Sequence, residues 1–350
     1  MRALQAGFRA VVLLSVVLDL PLLGWLVRRL TREPRVESVT IAGTAVEIVR
    51  PRPAGRWPTV LFVNGAHPLR RKEAIVQRLS RGLARAGYVV FVPDLPGLGD
   101  GEITLRTIGA LEEVARDVLA RPDVAGSRLT LVGASTGAGL ALIAAARPDL
   151  SNKVAAVVAV APFADLEKMT CLVTTSCYDE DGTFVRYAVP PLSRRIIARS
   201  LLAALPSPER DELVAHIARA GDAADPLEGL EPREGLGPDA RAVVALLTNR
   251  DASRFRSLRE ALPPAVASLI RALSPVLVAS SIVAPVEILV PPRDEYFPRS
   301  EATALARAIP TARVTMTATL DHTRPRLSVA QLPDLGRFLG SVTRSLALSA

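Results

Sequence analysis

The chain has 350 residues, 49% hydrophobic and 22% charged, which suits a folded protein with a sizeable core and excludes a disordered one. Its formal net charge is +8, but only 4% of its residues are aromatic, too few for stacking platforms, so we expect no nucleic-acid partner. The two cysteines, Cys171 and Cys177, are too few for a zinc site. They are either ordinary core or loop residues, or a disulfide if the domain lies in an oxidising compartment.

The most hydrophobic segment lies at the N-terminus. Its apolar run, residues 10–27, is flanked by arginines and interrupted only at Ser15, Asp19, Pro21 and Gly24. A helix of this length extends about 27 Å, just under the hydrocarbon thickness of a bilayer. Asp19 opposes insertion by about 3 kcal/mol, and Pro21 would kink the helix. We predict that residues 1–34 form a membrane anchor, as a single span or an interfacial helix, with a helix packed on the domain as the alternative.

From residue 35 onward, β-rich runs alternate with amphipathic helical segments. Runs of Val, Ile and Leu predict strands at 45–51, 59–65, 128–133 and 154–162, and another that begins at residue 88. Apolar residues at helical spacing predict helices at 73–86 and 107–120, and a further helix from residue 136. Continuous apolar strands separated by helices are typical of a parallel sheet that is covered on both faces.

The alternation stops between residues 165 and 280, where the pattern is helical with Pro-rich breaks. It then resumes with a strand in 285–298, a helix from Glu301, a strand at 312–322 and a final helix over 328–346. The sequence therefore predicts an N-terminal anchor (1–34), an α/β core (35–164 and 281–350) and an α-helical cap insertion (165–280).

The segment from Leu129 to Ala146, LTLVGASTGAGLALIAAA, joins a strand to a helix through a turn of Gly and Ser. Such a turn can hold the pyrophosphate of a dinucleotide, and GASTGAG resembles the glycine-rich turn of short-chain dehydrogenases. In that family the turn opens the chain, whereas here three β/α units precede it, and no tyrosine is followed by lysine four residues later. No Gly-Lys-Ser/Thr follows the turn, which argues against a phosphate-binding P-loop.

The same turn fits Gly-x-Ser-x-Gly, the pattern of a nucleophile elbow, in which a tight strand-to-helix turn presents a serine. In this interpretation Ser135 adopts an unfavourable backbone conformation, which its flanking glycines make room for. A serine hydroxyl is a poor nucleophile without a base. The sequence must therefore supply a histidine near this turn.

Three histidines are candidates for that base. His216 lies within a cap helix, and His67 follows the second predicted strand, where an oxyanion loop is expected. His322 follows the last strand, which places it above the carboxyl edge of the sheet beside the serine. The acid that orients it should follow the preceding strand, where Asp294 is the first candidate and Glu295 the second. The resulting order of serine, acid and histidine is the one expected of α/β-hydrolases.

With these motifs, the sequence from about Val36 onward resembles the α/β-hydrolase superfamily. VNGAHP resembles its His-Gly-x-x-Pro oxyanion loop, with Asn64 at the usual histidine position. DLPGLGDGE resembles its Asp-x-Pro-Gly-x-Gly loop, and PPRDEYFP resembles Gly-x-x-Asp-x-x-x-Pro, with Pro291 replacing the glycine. More specifically, the chain resembles bacterial serine hydrolases related to the dienelactone-hydrolase and esterase branches. Dienelactone hydrolases carry Cys as nucleophile, whereas Ser135 indicates ester hydrolysis.

The resemblance implies an α/β-hydrolase fold, with a mostly parallel central sheet, helices on both faces and a helical cap, and a serine hydrolase that cleaves carboxylic esters. Ser135 would attack, His322 would act as base, Asp294 would orient His322, and the backbone N–H groups of Thr136 and Ala66 would form the oxyanion hole. We expect a small-molecule ester as substrate and no metal or organic cofactor. The alternatives are a catalytically idle fold that binds a partner, and acyl transfer, thioester hydrolysis or amide hydrolysis on the same triad.

Overall fold

Helices and strands alternate along most of the chain, of which the computed structural model describes residues 2–53, 55–122, 124–180, 182–326 and 331–348. The strands are β1 (Arg35–Ile41), β2 (Thr44–Arg50), β3 (Trp57–Val63), β4 (Val89–Pro93), β5 (Val124–Ala134), β6 (Val154–Val160), β7 (Cys177–Glu180), β8 (Thr183–Arg186), β9 (Val286–Val290), β10 (Ala312–Met316), β11 (Leu320–Asp321) and β12 (Arg324–Pro325). The helices are α1 (Arg2–Val17), α2 (Pro21–Leu30), α3 (Ala74–Arg85), α4 (Leu105–Ala120), α5 (Thr136–Ala145), α6 (Leu166–Thr175), α7 (Pro191–Leu202), α8 (Glu209–Arg219), α9 (Pro238–Leu247), α10 (Phe255–Glu260), α11 (Pro264–Ala272), α12 (Arg299–Ala308) and α13 (Leu332–Leu348).

Eight of these strands form one central sheet, in the order β1-β2-β4-β3-β5-β6-β9-β10. β2 pairs with β1 and with β4 in antiparallel fashion, and the remaining neighbours are parallel. Helices cover both faces: Leu61 and Val63 of β3 pack in the cluster that contains α4 and α5, whereas Val60 and Phe62 pack in the cluster that contains α1 and α3. This arrangement confirms the predicted α/β-hydrolase fold class.

The parallel strands in the middle of the sheet end side by side. Val63 of β3 pairs with Gly133 of β5, Gly133 with Ala159 of β6, and Ala159 with Ile288 of β9. The loops that follow β3, β5 and β9 therefore meet at one edge of the sheet, which is where ligands bind in open α/β sheets.

The apolar N-terminal segment forms two helices, α1 and α2, rather than one straight helix. The chain turns at Asp19, whose φ is 49°, and Pro21 is the first residue of α2. Within the ranges described, no one helix is long and apolar enough to cross a bilayer, and α1 with α2 meets those criteria only as a pair bent by 116°. One side of α1, including Ala10 and Leu13, is buried in the cluster that contains α3.

The segment between β6 and β9 contains the helices α6 to α11, together with a hairpin of β7 and β8 that the sequence did not predict. β8 is exposed throughout and β7 buries only Tyr178, so neither strand has the apolar run that would reveal it. Cys171, within α6, and Cys177, the first residue of β7, are free thiols. The strand expected at 312–322 is shorter, since β10 ends at Met316, and the predicted start of the last helix at residue 328 lies outside the described residues.

Candidate active site

Ser135 occupies the single residue between the end of β5 and the start of α5. Its backbone has φ 53° and ψ −124°, a conformation that is costly for a residue with a side chain. The backbone N–H of Ser135 donates to the Val160 carbonyl at 2.8 Å, which ties the turn to the end of β6. The predicted strained turn is thus present, and it is held by the neighbouring strand.

The glycines on either side of Ser135 are needed because the backbone is crowded. A Cβ on Gly133 would lie 2.4 Å from the carbonyl oxygen of Gly137, and a Cβ on Gly137 would lie 2.2 Å from that of Val63. Both distances are far below van der Waals contact. The first turn of α5 therefore packs directly against the ends of β5 and β3.

His322 and Asp294 are in direct contact at the same edge. The imidazole Nδ1 of His322 lies 2.8 Å from Oδ2 of Asp294 and 3.1 Å from its Oδ1. The two side chains are 12% and 7% exposed, respectively, so water competes little for this hydrogen bond. Asp294 lies in the loop after β9, and His322 lies between β11 and β12, with φ 50°.

The carboxylate of Asp294 is held in place by its own loop. Its Oδ1 accepts the backbone N–H groups of Tyr296 at 2.8 Å and Phe297 at 3.2 Å. The rings of these residues pack against the His322 imidazole, with centroid distances of 4.5 Å for Tyr296 and 5.4 Å for Phe297. The acid and the imidazole are therefore fixed both by hydrogen bonds and by packing.

The segment between β6 and β9 also contacts the loop of Asp294. The hydroxyl of Tyr187, which follows β8, donates to the backbone carbonyl of Asp294. Burial, and then the negative charges of Asp294 and Glu295, raise the pKa of Tyr187, so this hydroxyl stays protonated as a donor. Sequence reasoning missed Tyr187, since nothing in its local pattern connects it with a loop more than a hundred residues later.

The loop after β3 lies close to Ser135. A Cβ on Gly65 would be 3.1 Å from the Cβ of Ser135. In the ranges that the structure describes, the backbone N–H groups of the next residue, Ala66, and of Thr136 have no hydrogen-bond acceptor. Two unpaired amides beside a serine are suited to bind an oxyanion.

A cavity of about 320 Å³ brings these groups together. Its lining includes four of the predicted site residues: Ala66, Ser135, Thr136 and His322. Within the described residues the Ser135 hydroxyl makes no direct hydrogen bond to His322, although both groups face this cavity. Such contacts are often long without substrate and shorten when it binds.

The other candidates from the sequence are placed differently. Glu295 lines the cavity, but the imidazole of His322 contacts Asp294 instead. His67 also lines the cavity, where its Nδ1 accepts the Leu69 N–H at 3.2 Å. His216 lies on α8 with its Nε2 3.0 Å from the Glu228 carbonyl.

Apolar side chains from the segment between β6 and β9 form part of the cavity wall. They include Met169 of α6 and Ile196 and Leu201 of α7, and Phe163 and Ile103 add further apolar surface. Charged side chains also line the cavity, among them Arg324 and Arg326, which follow His322 in sequence. The cavity therefore offers an apolar wall and a polar side to a ligand at Ser135.

Comparisons with known proteins agree with this fold. A family model described as the alpha/beta hydrolase family matches residues 60–336. The structure of dipeptidyl peptidase 4 from Porphyromonas gingivalis is similar over 93% of this chain, with a TM-score of 0.52 and 15% identity, and the chain spans 37% of that peptidase. An esterase from Pyrococcus furiosus is similar over 90% of each chain, with a TM-score of 0.50 and 14% identity. No curated protein matches the sequence.

Structural similarity at these identities demonstrates the shared fold alone. The family match covers most of the chain, from β3 to the start of α13, and includes the loops that carry Ser135, Asp294 and His322. The chain belongs to the alpha/beta hydrolase family.

Proposed function

We propose that this protein is a serine hydrolase that cleaves carboxylic esters through an acyl-serine intermediate. Membership of the alpha/beta hydrolase family supports a hydrolase. The observation that carries the proposal is that Ser135, on a strained strand-to-helix turn, shares a cavity with His322, whose Nδ1 is hydrogen-bonded to Asp294. This combination supplies a nucleophile, a base and a group that orients the base.

In the proposed reaction, Oγ of Ser135 attacks the carbonyl carbon of the ester while its proton moves to Nε2 of His322. The Nδ1 of His322 faces Asp294, so Nε2 is the nitrogen that remains for proton transfer. The amides of Thr136 and Ala66 stabilise the negative oxygen, and one such donor is typically worth about 3 kcal/mol. The ester C–O bond then breaks, and His322 returns the proton to the leaving alcohol.

Water completes the cycle. His322 removes a proton from a water molecule, the resulting oxygen attacks the acyl carbon, and the acyl–Oγ bond breaks as Ser135 regains its proton. The Asp294 carboxylate stabilises the positive charge on the imidazole in both half-reactions. The apolar wall formed by α6 and α7 favours an ester whose acyl or alcohol group is apolar.

Labelling with a fluorophosphonate tests this proposal directly. The probe should modify Ser135 alone, as located by mass spectrometry of the labelled peptide, and Ser135→Ala should abolish both labelling and turnover of p-nitrophenyl butyrate. Ser193→Ala removes another serine that lines the same cavity, and that variant should still be labelled. Labelling at a different residue, or turnover by Ser135→Ala, would contradict the assignment, and a wild-type protein that is never labelled would favour the catalytically idle fold.

The leaving group is tested by comparing matched substrates. We expect p-nitrophenyl butyrate to be cleaved with a much larger kcat/KM than the p-nitroanilide of the same acid. A preference for the anilide would instead favour an amidase. Transfer of the butyryl group to added alcohols, in preference to water, would favour an acyltransferase.

We also propose that the outer surface of α1 and α2 rests on a membrane surface that contains anionic lipid. Phe8 is 69% exposed and Leu22 is 85% exposed, although both are large and apolar. Arg29 lies over the ring of Trp25, with 4.9 Å between the guanidinium carbon and the ring centroid, and Arg28 precedes it. Apolar side chains next to arginines are typical of helices that lie in an anionic bilayer interface.

A further inference from the structure

A second cavity, of about 120 Å³, lies on the face of the sheet that α1, α3 and α13 cover. Its wall is almost entirely apolar and includes Leu13 and Val17 of α1, Val158 and Leu289 of the sheet, and Phe338 and Val342 of α13. Covering apolar surface of this kind with an apolar ligand is favourable, because it removes that surface from water.

The N-terminal helix forms one wall of this cavity through Leu13, Leu14 and Val17. α1 packs against both α3 and α13, and the approach to α3 is close, because a Cβ on Gly82 would lie 2.9 Å from Cδ1 of Leu13. The hydroxyl of Tyr88 donates to the Leu346 carbonyl of α13 at 2.8 Å, which ties that helix to the residue that precedes β4. The cavity therefore lies between three helices that are docked on the sheet.

The second cavity adjoins the cavity that contains Ser135. Four residues line both: Ile75 and Leu79 of α3, Val160 of β6 and Thr323 of the β11–β12 turn. Val160 is also the residue whose carbonyl accepts the Ser135 N–H at 2.8 Å. The nucleophile's cavity and the apolar one therefore meet at these four residues.

We infer that the second cavity binds the far end of a single unbranched hydrocarbon chain of the ester substrate, whose carbonyl lies at Ser135. This inference rests on the proposed esterase function and names its substrate class as medium- or long-chain esters. An unbranched chain fits because the wall is aliphatic and aromatic and provides almost no polar group that a second functional group could contact. The chain would reach it by passing Leu79 and Val160.

A chain-length series tests the inference. The wild-type protein should cleave p-nitrophenyl dodecanoate and octanoate with a larger kcat/KM than the butyrate. Val342 lines the second cavity but not the first, so Val342→Phe should lower kcat/KM for the dodecanoate by about tenfold or more and leave the butyrate nearly unchanged. The matched control, Val314→Phe, adds the same bulk at an exposed position of β10 and should alter neither value.

A second series identifies which part of the ester carries the chain. Acetate esters of butanol, octanol and dodecanol place the chain on the alcohol. If Val342→Phe impairs only these long acetates, the chain belongs to the alcohol, and if it impairs only the long p-nitrophenyl esters, the chain belongs to the acyl group. An equal effect of Val342→Phe on every substrate of both series, short and long, would overturn the inference while leaving the esterase function intact.

Direct binding separates this inference from the proposed reaction. Isothermal titration of Ser135→Ala with dodecanoate should show one binding site. Combining this variant with Val342→Phe should lower the affinity for dodecanoate by about tenfold or more, whereas combining it with Val314→Phe should not change it. This result would support the inference even if no ester were hydrolysed, and the absence of binding would contradict it. Should Val342→Phe not fold by circular dichroism, Val17→Phe fills the same cavity from α1 and replaces it in both assays.

Discussion

The Nδ1 of His322 lies 2.8 Å from Oδ2 of Asp294, although α12, β10 and β11 separate the two residues in sequence. The carboxylate has little freedom to turn away, because its Oδ1 also accepts the N–H groups of Tyr296 and Phe297. A carboxylate at Nδ1 favours the tautomer of His322 with its proton there, which leaves the lone pair of Nε2 available for a serine proton.

Asp294→Asn should therefore lower kcat for p-nitrophenyl butyrate by about 10³- to 10⁴-fold, because an amide stabilises neither the correct tautomer nor the imidazolium. Circular dichroism should show a folded protein, since the side chains have nearly the same shape. Glu295→Gln is the matched comparison, and its loss should be far smaller because the hydrogen-bonded partner of the imidazole is Asp294. Equal losses in the two variants would mean that the acid has been wrongly assigned.

Gly137→Ala should unfold or strongly destabilise the protein. Its Cβ would lie 2.2 Å from the Val63 carbonyl, which is backbone and cannot swing aside, so we expect a loss of at least about 2–3 kcal/mol in the free energy of unfolding. Gly109→Ala, within α4, has nothing within 4 Å of its new Cβ and should gain about 0.5–1 kcal/mol. Urea unfolding of both variants measures the contrast, and a neutral Gly137→Ala would refute the crowding seen at this turn.

Glu301 should make stability depend on pH. Its carboxylate is buried and accepts the N–H groups of Ala164 and Asp165 at 2.7 and 3.0 Å. Burial raises its pKa above the ordinary value near 4.5, and this effect outweighs the lowering by those two donors. As the pH rises through the ordinary value, the unfolded chain loses its proton before the folded one does, so the contribution of Glu301 to stability falls until the folded carboxyl ionises.

The measurement is urea unfolding at a series of pH values upward from about 4.5. Glu301→Gln cannot ionise, so its stability relative to the wild type should rise with pH over this window. For Glu113→Gln, at an exposed position of α4, the free energy of unfolding should change with pH as that of the wild type does. If the stability of Glu301→Gln also changed with pH as that of the wild type does, the pKa of Glu301 would not be raised.

The proposed membrane contact predicts a position-specific effect of charge. Leu22→Glu, on α2, should lower the fraction of protein that sediments with vesicles containing phosphatidylglycerol, because it places a carboxylate in an apolar and anionic interface. Leu277→Glu changes a leucine that is 60% exposed outside α1 and α2, and it should sediment like the wild type. Binding that is equal for all three proteins, or that does not weaken with salt, would argue against this surface.

The interior of the sheet was predictable from the sequence because its strands are buried on both faces and are therefore mostly apolar, as in β4. β1 was missed because it is an edge strand whose side chains are mostly exposed, so it has no such run. The sequence showed that the N-terminal segment is hydrophobic, but not what its apolar side chains contact. One side of α1 is buried against the domain while Phe8 on the other is exposed. Hydropathy alone does not distinguish an apolar side chain that packs on the domain from one that stays exposed.

The sequence by itself determined the position and the strain of Ser135, because a glycine before and after a serine at a strand-to-helix junction is a purely local pattern. Only the tertiary structure decided that His322 contacts Asp294 rather than Glu295, and that Tyr187 joins the same loop. Neighbouring carboxylates have the same local pattern, and which of them faces the imidazole depends on how the β9 loop turns. That turn results from contacts between residues far apart in sequence, which no local pattern encodes.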